Sequence, residues 1–217
     1  MRMTFLAISA IGFATLAACS STSGGSAPAG AAGSTGAAGS TGAAGSTGAG
    51  AGDAQTPPTT TGADVEVWLA QGHYKSWHCE SANHPARSPS PHGVNRICSN
   101  DLVNKQAAGP GEYPIGAANV KELYDDAGTA IIGYAVEVHV SAGKDTSNWY
   151  WYERNPAVMA PAKNGEKDVV ADGVGPNEGI AGGPTEKVCT GCHQAAGSDA
   201  MHQTGFDSHD FVYTHVK

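Results

Sequence analysis

The sequence predicts an α+β fold that is mainly β, with an antiparallel sheet and a few short helices, the last of them at the C-terminus. Three patterns support this prediction. Apolar side chains recur at every second position of residues 129–140, which is typical of a strand. Residues 125–128, Asp-Asp-Ala-Gly, have the composition of a hairpin turn after a second strand, 117–124. Residues 148–154 hold four consecutive aromatic side chains, which favour a third strand.

The alternation also predicts which side chains share a face. In the strand 129–140, one face carries Tyr134, Val136, Val138 and Val140, and the other carries Ala135, Glu137 and His139. In the strand 117–124, Lys121 and Leu123 share a face. The aromatic run Trp149, Tyr150, Trp151 and Tyr152 is expected to pack in the core or line a pocket wall.

The other elements complete the order along the chain. Asp64 can cap a first short helix and Gly72 can end it. A polar loop, a strand and one or two helical turns follow, and a long loop separates the aromatic strand from the C-terminal helix. We expect these elements at residues 64–72, 73–91, 94–99, 100–107 and 155–184, with the C-terminal helix beginning near residue 185.

The N-terminus has the pattern of an export signal. Arg2 precedes an apolar run, residues 5–18, that is too short to span a membrane comfortably. Leu-Ala-Ala-Cys at residues 16–19 resembles a lipobox, so we expect cleavage before Cys19 and a lipid on its sulfur. The alternative is ordinary secretory cleavage beside an incidental cysteine. Ser20 is not the aspartate that often retains lipoproteins at the inner membrane, which favours an envelope protein facing the periplasm from the outer membrane.

A low-complexity tether follows the signal. Residues 31–48 are three copies of Ala-Ala-Gly-Ser-Thr-Gly, which lack the bulk to form a core. We therefore expect a linker over residues 19–62 and one folded domain over residues 63–217. The net charge of −8 argues against a nucleic-acid partner.

The C-terminal helix carries the most specific motif, Cys189-Thr190-Gly191-Cys192-His193. C-x-x-C-H is the pattern for one covalent haem c, with two thioether links through Cys189 and Cys192 and with His193 as the proximal iron ligand. The alternatives are a thioredoxin-like pair or half of a zinc site, but the first needs a βαβ context and the second a further pair of ligands. The late motif and the strands do not match the helical class I cytochromes or the four-helix cytochromes c′. The sixth iron position is therefore expected to be open or water-bound.

In its order of segments, the domain resembles the cytochrome P-460 family, mainly β haem c proteins that include the cytochrome c′-β gas binders. The resemblance covers residues 63–217. Its segments are Trp68-Leu69-Ala70, His92-Gly93-Val94-Asn95-Arg96, Tyr113-Pro114-Ile115-Gly116-Ala117, Val120-Lys121-Glu122-Leu123, Asn148-Trp149-Tyr150-Trp151-Tyr152, the haem motif and Asp210-Phe211-Val212-Tyr213-Thr214.

The resemblance implies roles for three residues. Lys121 matches a lysine that is bonded to the haem ring, Glu137 a distal carboxylate that accepts protons, and Arg96 a pocket arginine. The alternatives are a solvated Lys121, a Glu137 that lines the wet face of the sheet together with His139, and an Arg96 in a structural ion pair.

Two further sets of residues remain. Once Cys19, Cys189 and Cys192 are assigned, an oxidising compartment favours a disulfide between Cys79 and Cys98. The loop histidines are either a metal site or exposed side chains. They are His78, His84 and His92.

The function implied by the resemblance is that of a haem oxidoreductase that oxidises hydroxylamine, reacts with nitric oxide, or does both. Its partners would be a small nitrogenous substrate or gas, an electron acceptor such as another cytochrome, and the membrane through the lipid anchor. Homodimers are common in the family. One alternative is a nitric oxide carrier or sensor without turnover. Another is an electron-transfer cytochrome with His139, Met159 or Met201 as a second iron ligand.

Overall fold

The computed structural model of the chain describes residues 52–87, 90–106, 111–158, 163–179, 187–197, 210–214 and 216. The expected signal peptide, Cys19 and residues 20–51 of the expected linker lie outside these ranges, as do Met159 and Met201. Within these ranges, no helix has both the length and the apolar character needed to cross a membrane.

The fold is built on one six-stranded antiparallel sheet whose strand order is the same as the order along the chain. The strands are β1 His78–Cys79, β2 Asn95–Ser99, β3 Ala118–Tyr124, β4 Ile131–His139, β5 Trp149–Arg154 and β6 Val169–Val174. The mainly β, antiparallel prediction is confirmed. β1 and β6 lie in segments that the sequence predicted as loops.

Short helices flank the sheet. The α-helices are α1 Gly62–Gln71, α2 Asp101–Gln106 and α3 Thr190–His193, and one-turn 3-10 helices occupy His73–Ser76, Thr146–Asn148 and Lys163–Gly165. Thr61, rather than Asp64, caps α1, because its hydroxyl accepts the Asp64 N–H at 3.2 Å. Gly72 ends α1 as predicted, in the left-handed conformation with φ of 74°.

The last residues of the expected linker contact the folded domain. The indole N–H groups of Trp68 and Trp77 donate to the carbonyls of Asp53 (2.7 Å) and Ala54 (3.1 Å). Buried indole N–H groups need an acceptor, and the end of the expected linker supplies it. Pro57 and Pro58 are buried as a result.

The two faces of the sheet differ in character. The back face, defined as the side that packs against α1, carries the main apolar core. Its members include Val65, Trp68, Leu69, Val120, Val136, Val138, Tyr150 and Tyr152. Tyr134 and Val140 pack against the same core, which confirms the face predicted for β4. The opposite side, the front face, carries Lys121, Ala135, Glu137, Trp151 and Glu153.

A disulfide joins Cys79 to Cys98 across the β1–β2 pair, in line with the sequence expectation. The two residues are direct partners in the ladder, with 4.0 Å between their Cα atoms. The bond therefore ties the short edge strand β1 to the sheet.

Candidate functional site

The front face forms the floor of a cavity. Strand register places Lys121, Ala135 and Glu153 in one row across β3, β4 and β5. Ala135 is the middle member of this row, and its methyl group leaves space between the two charged side chains. The cavity that these side chains enclose has a volume of about 50 Å³.

A second row of front-face side chains lies beside the first. It consists of Asn119, Glu137 and Trp151 on the same three strands. Cys189, His193 and Tyr213 line the cavity from α3 and the C-terminal segment, and His92 lines it from the loop before β2. The structure therefore brings the C-x-x-C-H motif onto the strand face that carries Lys121 and Glu137.

His193 is held with a defined ring orientation. Its Nδ1 lies 2.7 Å from the carbonyl oxygen of Phe211 and 3.3 Å from Oε2 of Glu137. Both neighbours are acceptors, so Nδ1 carries the hydrogen and donates it to the Phe211 carbonyl. This leaves Nε2 as the ring nitrogen that can bind a metal.

The start of the motif is fixed by a fully buried carboxylate, Glu178. One oxygen of Glu178 accepts hydrogen bonds from the Cys189 N–H (3.0 Å), the Thr190 N–H (2.8 Å) and the Thr190 hydroxyl (2.8 Å). Burial, followed by the charges of Glu153 and Glu178, raises the pKa of the Cys189 thiol well above its ordinary value. The Cys189 sulfur is therefore kept as a thiol.

Lys121 has an environment that favours its neutral form. Burial lowers the pKa of its ammonium, while the nearby carboxylates of Glu137 and Glu153 act in the opposite direction. A lysine with a lowered pKa contains more neutral amine, which is the nucleophilic form. The Lys121 residue is half-buried, and its side chain lines the cavity.

Glu137 lies in the cavity, but not where a distal base is expected. It is 7% exposed, and its Oε1 accepts a hydrogen bond from Asn119 Nδ2 at 2.6 Å. Its Oε2 faces Nδ1 of His193, whereas the resemblance implies a distal carboxylate that accepts protons from the substrate. Glu137 therefore lies beside Nδ1 of His193, the ring nitrogen that does not bind a metal, and this position departs from the role implied by the resemblance. The wet-face alternative for Glu137 and His139 is wrong, since both side chains are buried.

Sequence reasoning missed a second buried carboxylate, Glu153, which is 4% exposed. Asn155 donates to Glu153 Oε1 at 3.0 Å, and Nδ1 of His92 lies 3.5 Å from the same oxygen. Burial alone would raise the pKa of Glu153, but the charge and contact of His92, the Asn155 hydrogen bond and the charge of Lys121 together lower it. Burial, followed by the charge of Lys121, lowers the pKa of His92. The alternation along β5 puts Glu153 on the same face as Trp151, so the sequence did contain this signal.

Arg96 is not a pocket residue, which corrects the prediction. Its neighbour Ile97 pairs with Lys121 and faces the cavity, so the alternation of β2 turns Arg96 to the back face. There the guanidinium donates to Oε2 of buried Glu122 at 3.3 Å and to the Glu80 carbonyl at 2.8 Å. The alternative of a structural ion pair is the correct one.

The remaining histidines go to separate places. His78 contacts Asp101 at 2.9 Å and His84 contacts Glu80 at 3.1 Å, so neither joins His92 in a common site. His139 is buried against Trp149, with its Nε2 3.0 Å from the Gly143 carbonyl. Across the part of the chain that the structure describes, no group of three or more His, Cys, Asp or Glu side chains is arranged to hold a bare metal ion.

The arrangement as a whole suits a covalent haem c. The motif supplies two cysteines about one helical turn apart and a histidine whose Nε2 is available for iron. Buried polar atoms in the cavity lining lack a hydrogen-bond partner among the described residues, which is expected where a ligand belongs. They are His92 Nδ1, Asn119 Oδ1, Glu137 Oε2 and Trp151 Nε1. Glu137 and Arg96 depart from the expected arrangement.

Comparison with known proteins adds no relative. No family model, no curated protein and no solved structure matches the chain.

Proposed function

We propose that this chain is a c-type haem oxidoreductase of the cytochrome P-460 type, which oxidises hydroxylamine, reacts with nitric oxide, or does both. The observation that carries the proposal is the position of the C-x-x-C-H turn, which opens onto a cavity containing Lys121 and two buried carboxylates. When bound, the haem would supply the electron-accepting centre and an open coordination position for a small nitrogenous substrate.

The residues of the motif would hold the group. Cys189 and Cys192 would each add a thiol across a haem vinyl group, and His193 would bind iron through Nε2. In this proposal α3 is the haem-attachment helix, and Glu178 keeps its first turn in place before the thioethers form.

Lys121 would be the residue that is bonded to the ring. An amine must be neutral to form such a bond, and burial of Lys121 lowers its pKa in that direction. Its position opposite Ala135, with no bulky side chain between it and Glu153, gives the amine room to reach a flat ligand on the floor of the cavity.

Oxidation of hydroxylamine releases protons as well as electrons, so the site needs a proton acceptor. The resemblance implies Glu137 for this role, but the geometry favours Glu153. Glu153 shares a row with Lys121 and contacts His92, whereas Glu137 contacts Asn119 and Nδ1 of His193. The lipid anchor at Cys19, the periplasm-facing location and a cytochrome as electron acceptor complete the proposal.

The first test is the visible spectrum of the haem-loaded protein, oxidised and then reduced with dithionite. We expect a broad, strongly red-shifted reduced Soret band in the wild type and an ordinary haem c band in Lys121→Met. Lys105→Arg, at an exposed position of α2, is the matched lysine control and should keep the wild-type band. An ordinary band in the wild type would refute the cross-link.

The second test is turnover of hydroxylamine with an artificial electron acceptor. Glu153→Gln should abolish turnover and spare nitric oxide binding, while Glu137→Gln should retain measurable turnover. If Glu137→Gln abolishes turnover and Glu153→Gln retains it, Glu137 is the proton acceptor. If the wild type binds nitric oxide but does not turn over hydroxylamine, the protein is a nitric oxide carrier or sensor and not an enzyme.

A further inference from the structure

The C-terminal strap, defined as residues 210–214, meets the C-x-x-C-H motif at two points. We propose that this strap is the positioning element that orients His193 and fixes which of its ring nitrogens carries the hydrogen. The proposal concerns a residue that the proposed function also uses, but it can be tested without haem. The strap acts through His193, so its members are positioning residues and not catalytic ones.

The acceptor at the centre of the strap is held in a strained conformation. Phe211 has a φ of 60°, in the left-handed region that bulky side chains rarely adopt, and it is buried. Its carbonyl oxygen is the one that lies 2.7 Å from Nδ1 of His193. A strained backbone conformation persists only when the surrounding structure fixes it. The contacts on either side of Phe211 must therefore stabilise its conformation.

Those contacts anchor the strap to the sheet. Asp210 is buried, and its two carboxylate oxygens accept hydrogen bonds from the Trp149 indole N–H and the Tyr113 backbone N–H, both at 3.2 Å. On the other side of Phe211, the Thr214 carbonyl accepts a hydrogen bond from Asn119 at 3.3 Å. The strap is thus fixed to β5 at one end and to β3 at the other.

A second contact reaches the motif directly. The hydroxyl of Tyr213 donates to the carbonyl of Cys192 at 3.0 Å, one residue before His193. The Tyr213 ring also meets the His193 ring edge to face, with 5.3 Å between centroids, and Trp151 meets it from another direction at 4.6 Å. The imidazole is therefore held by two rings as well as by its hydrogen bond.

This geometry has a chemical consequence for His193. A histidine in water prefers the tautomer with hydrogen on Nε2. Here Nδ1 faces the Phe211 carbonyl and the Glu137 carboxylate, so the hydrogen is drawn to Nδ1 and the lone pair is left on Nε2. The strap would thereby prepare His193 as a metal ligand before any cofactor is attached.

The test is long-range proton–nitrogen NMR of the haem-free full chain, labelled with nitrogen-15 in histidine, at a pH above the ordinary histidine pKa. We expect His193 to show the single Nδ1–H form. Asp210→Ala releases one anchor, and Tyr213→Phe removes the hydroxyl that contacts Cys192, so both variants should shift His193 toward a mixture of tautomers. Tyr124→Phe removes a comparable hydroxyl from the back face, where it contacts Glu122, and should leave His193 unchanged.

The outcomes are distinct. An Nε2–H form in the wild type would overturn the proposal, and so would a wild-type His193 signal in a folded Asp210→Ala variant. If Asp210→Ala does not fold, Tyr213→Phe decides the matter by the same readout. If the chain never binds haem, the proposed function is refuted, but the NMR result on His193 still stands. Failure of the proposed function can therefore be distinguished from failure of this inference.

Discussion

Replacement of Glu178 by alanine would remove the acceptor that holds the first turn of α3. Two buried N–H groups, those of Cys189 and Thr190, would lose their partner, at a cost of about 1–3 kcal/mol each. The variant also removes the second oxygen of Glu178, which is buried without a partner among the described residues, and this returns about 1–3 kcal/mol. We therefore expect the free energy of unfolding to fall by about 1–3 kcal/mol.

The assay is urea denaturation of the full chain, together with amide hydrogen exchange at Cys189 and Thr190. Glu178→Gln keeps one carbonyl acceptor and should lie closer to the wild type than Glu178→Ala. Asp126→Ala, in the exposed hairpin turn, is the control and should stay within about 0.5 kcal/mol of the wild type. An alanine variant at Glu178 that matches this control in both stability and exchange would refute the reasoning.

Three further predictions follow from other parts of the fold. The double variant Cys79→Ser, Cys98→Ser opens a loop of sequence separation 19 and should lower the free energy of unfolding by about 3 kcal/mol, measured by denaturation against the wild type with its disulfide intact. The reduced wild type should match the variant, and a variant as stable as the disulfide-bonded wild type would contradict this. Arg96→Gln should lower the free energy of unfolding by about 1–3 kcal/mol, because the charge of buried Glu122 loses a partner. The visible spectrum of the haem-loaded protein should stay unchanged, and an altered spectrum would indicate that Arg96 is a pocket residue. Burial lowers the pKa of His92, so the folded state binds a proton there less readily than the unfolded state does. The free energy of unfolding should therefore fall as the pH drops below about 6.5, and it should fall less steeply in His92→Asn. Equal pH dependence of the free energy of unfolding in the two proteins would contradict this.

Much of the sheet could be predicted because its strands follow simple alternation. In β4 the apolar positions Val136 and Val138 face the core and Glu137 faces the cavity, as their spacing indicated. The cavity position of Lys121 agrees with the same logic on β3. Periodicity of this kind is local, so it survives without knowledge of the partner strand.

What the sequence could not supply was the pairing between strands and the short edge elements. Asp172 and Gly173 lie within β6 and weaken a strand prediction there, although both pair with residues of β5. The register that puts Arg96 opposite Glu122 is a property of two strands together, so the sequence of β2 alone did not reveal it. Glu153 was overlooked because its aromatic neighbours indicated core packing.

The strand order of the sheet also bears on how the domain assembles. Each pair of neighbouring strands is consecutive along the chain, so the floor of the cavity needs only short loops to close. The contacts that add the C-terminal segment are far less local: Asp210 reaches Tyr113 across 97 residues. Local contacts form faster than distant ones, so we expect the front face to be complete, and open to a flat ligand, before the last part of the chain covers it.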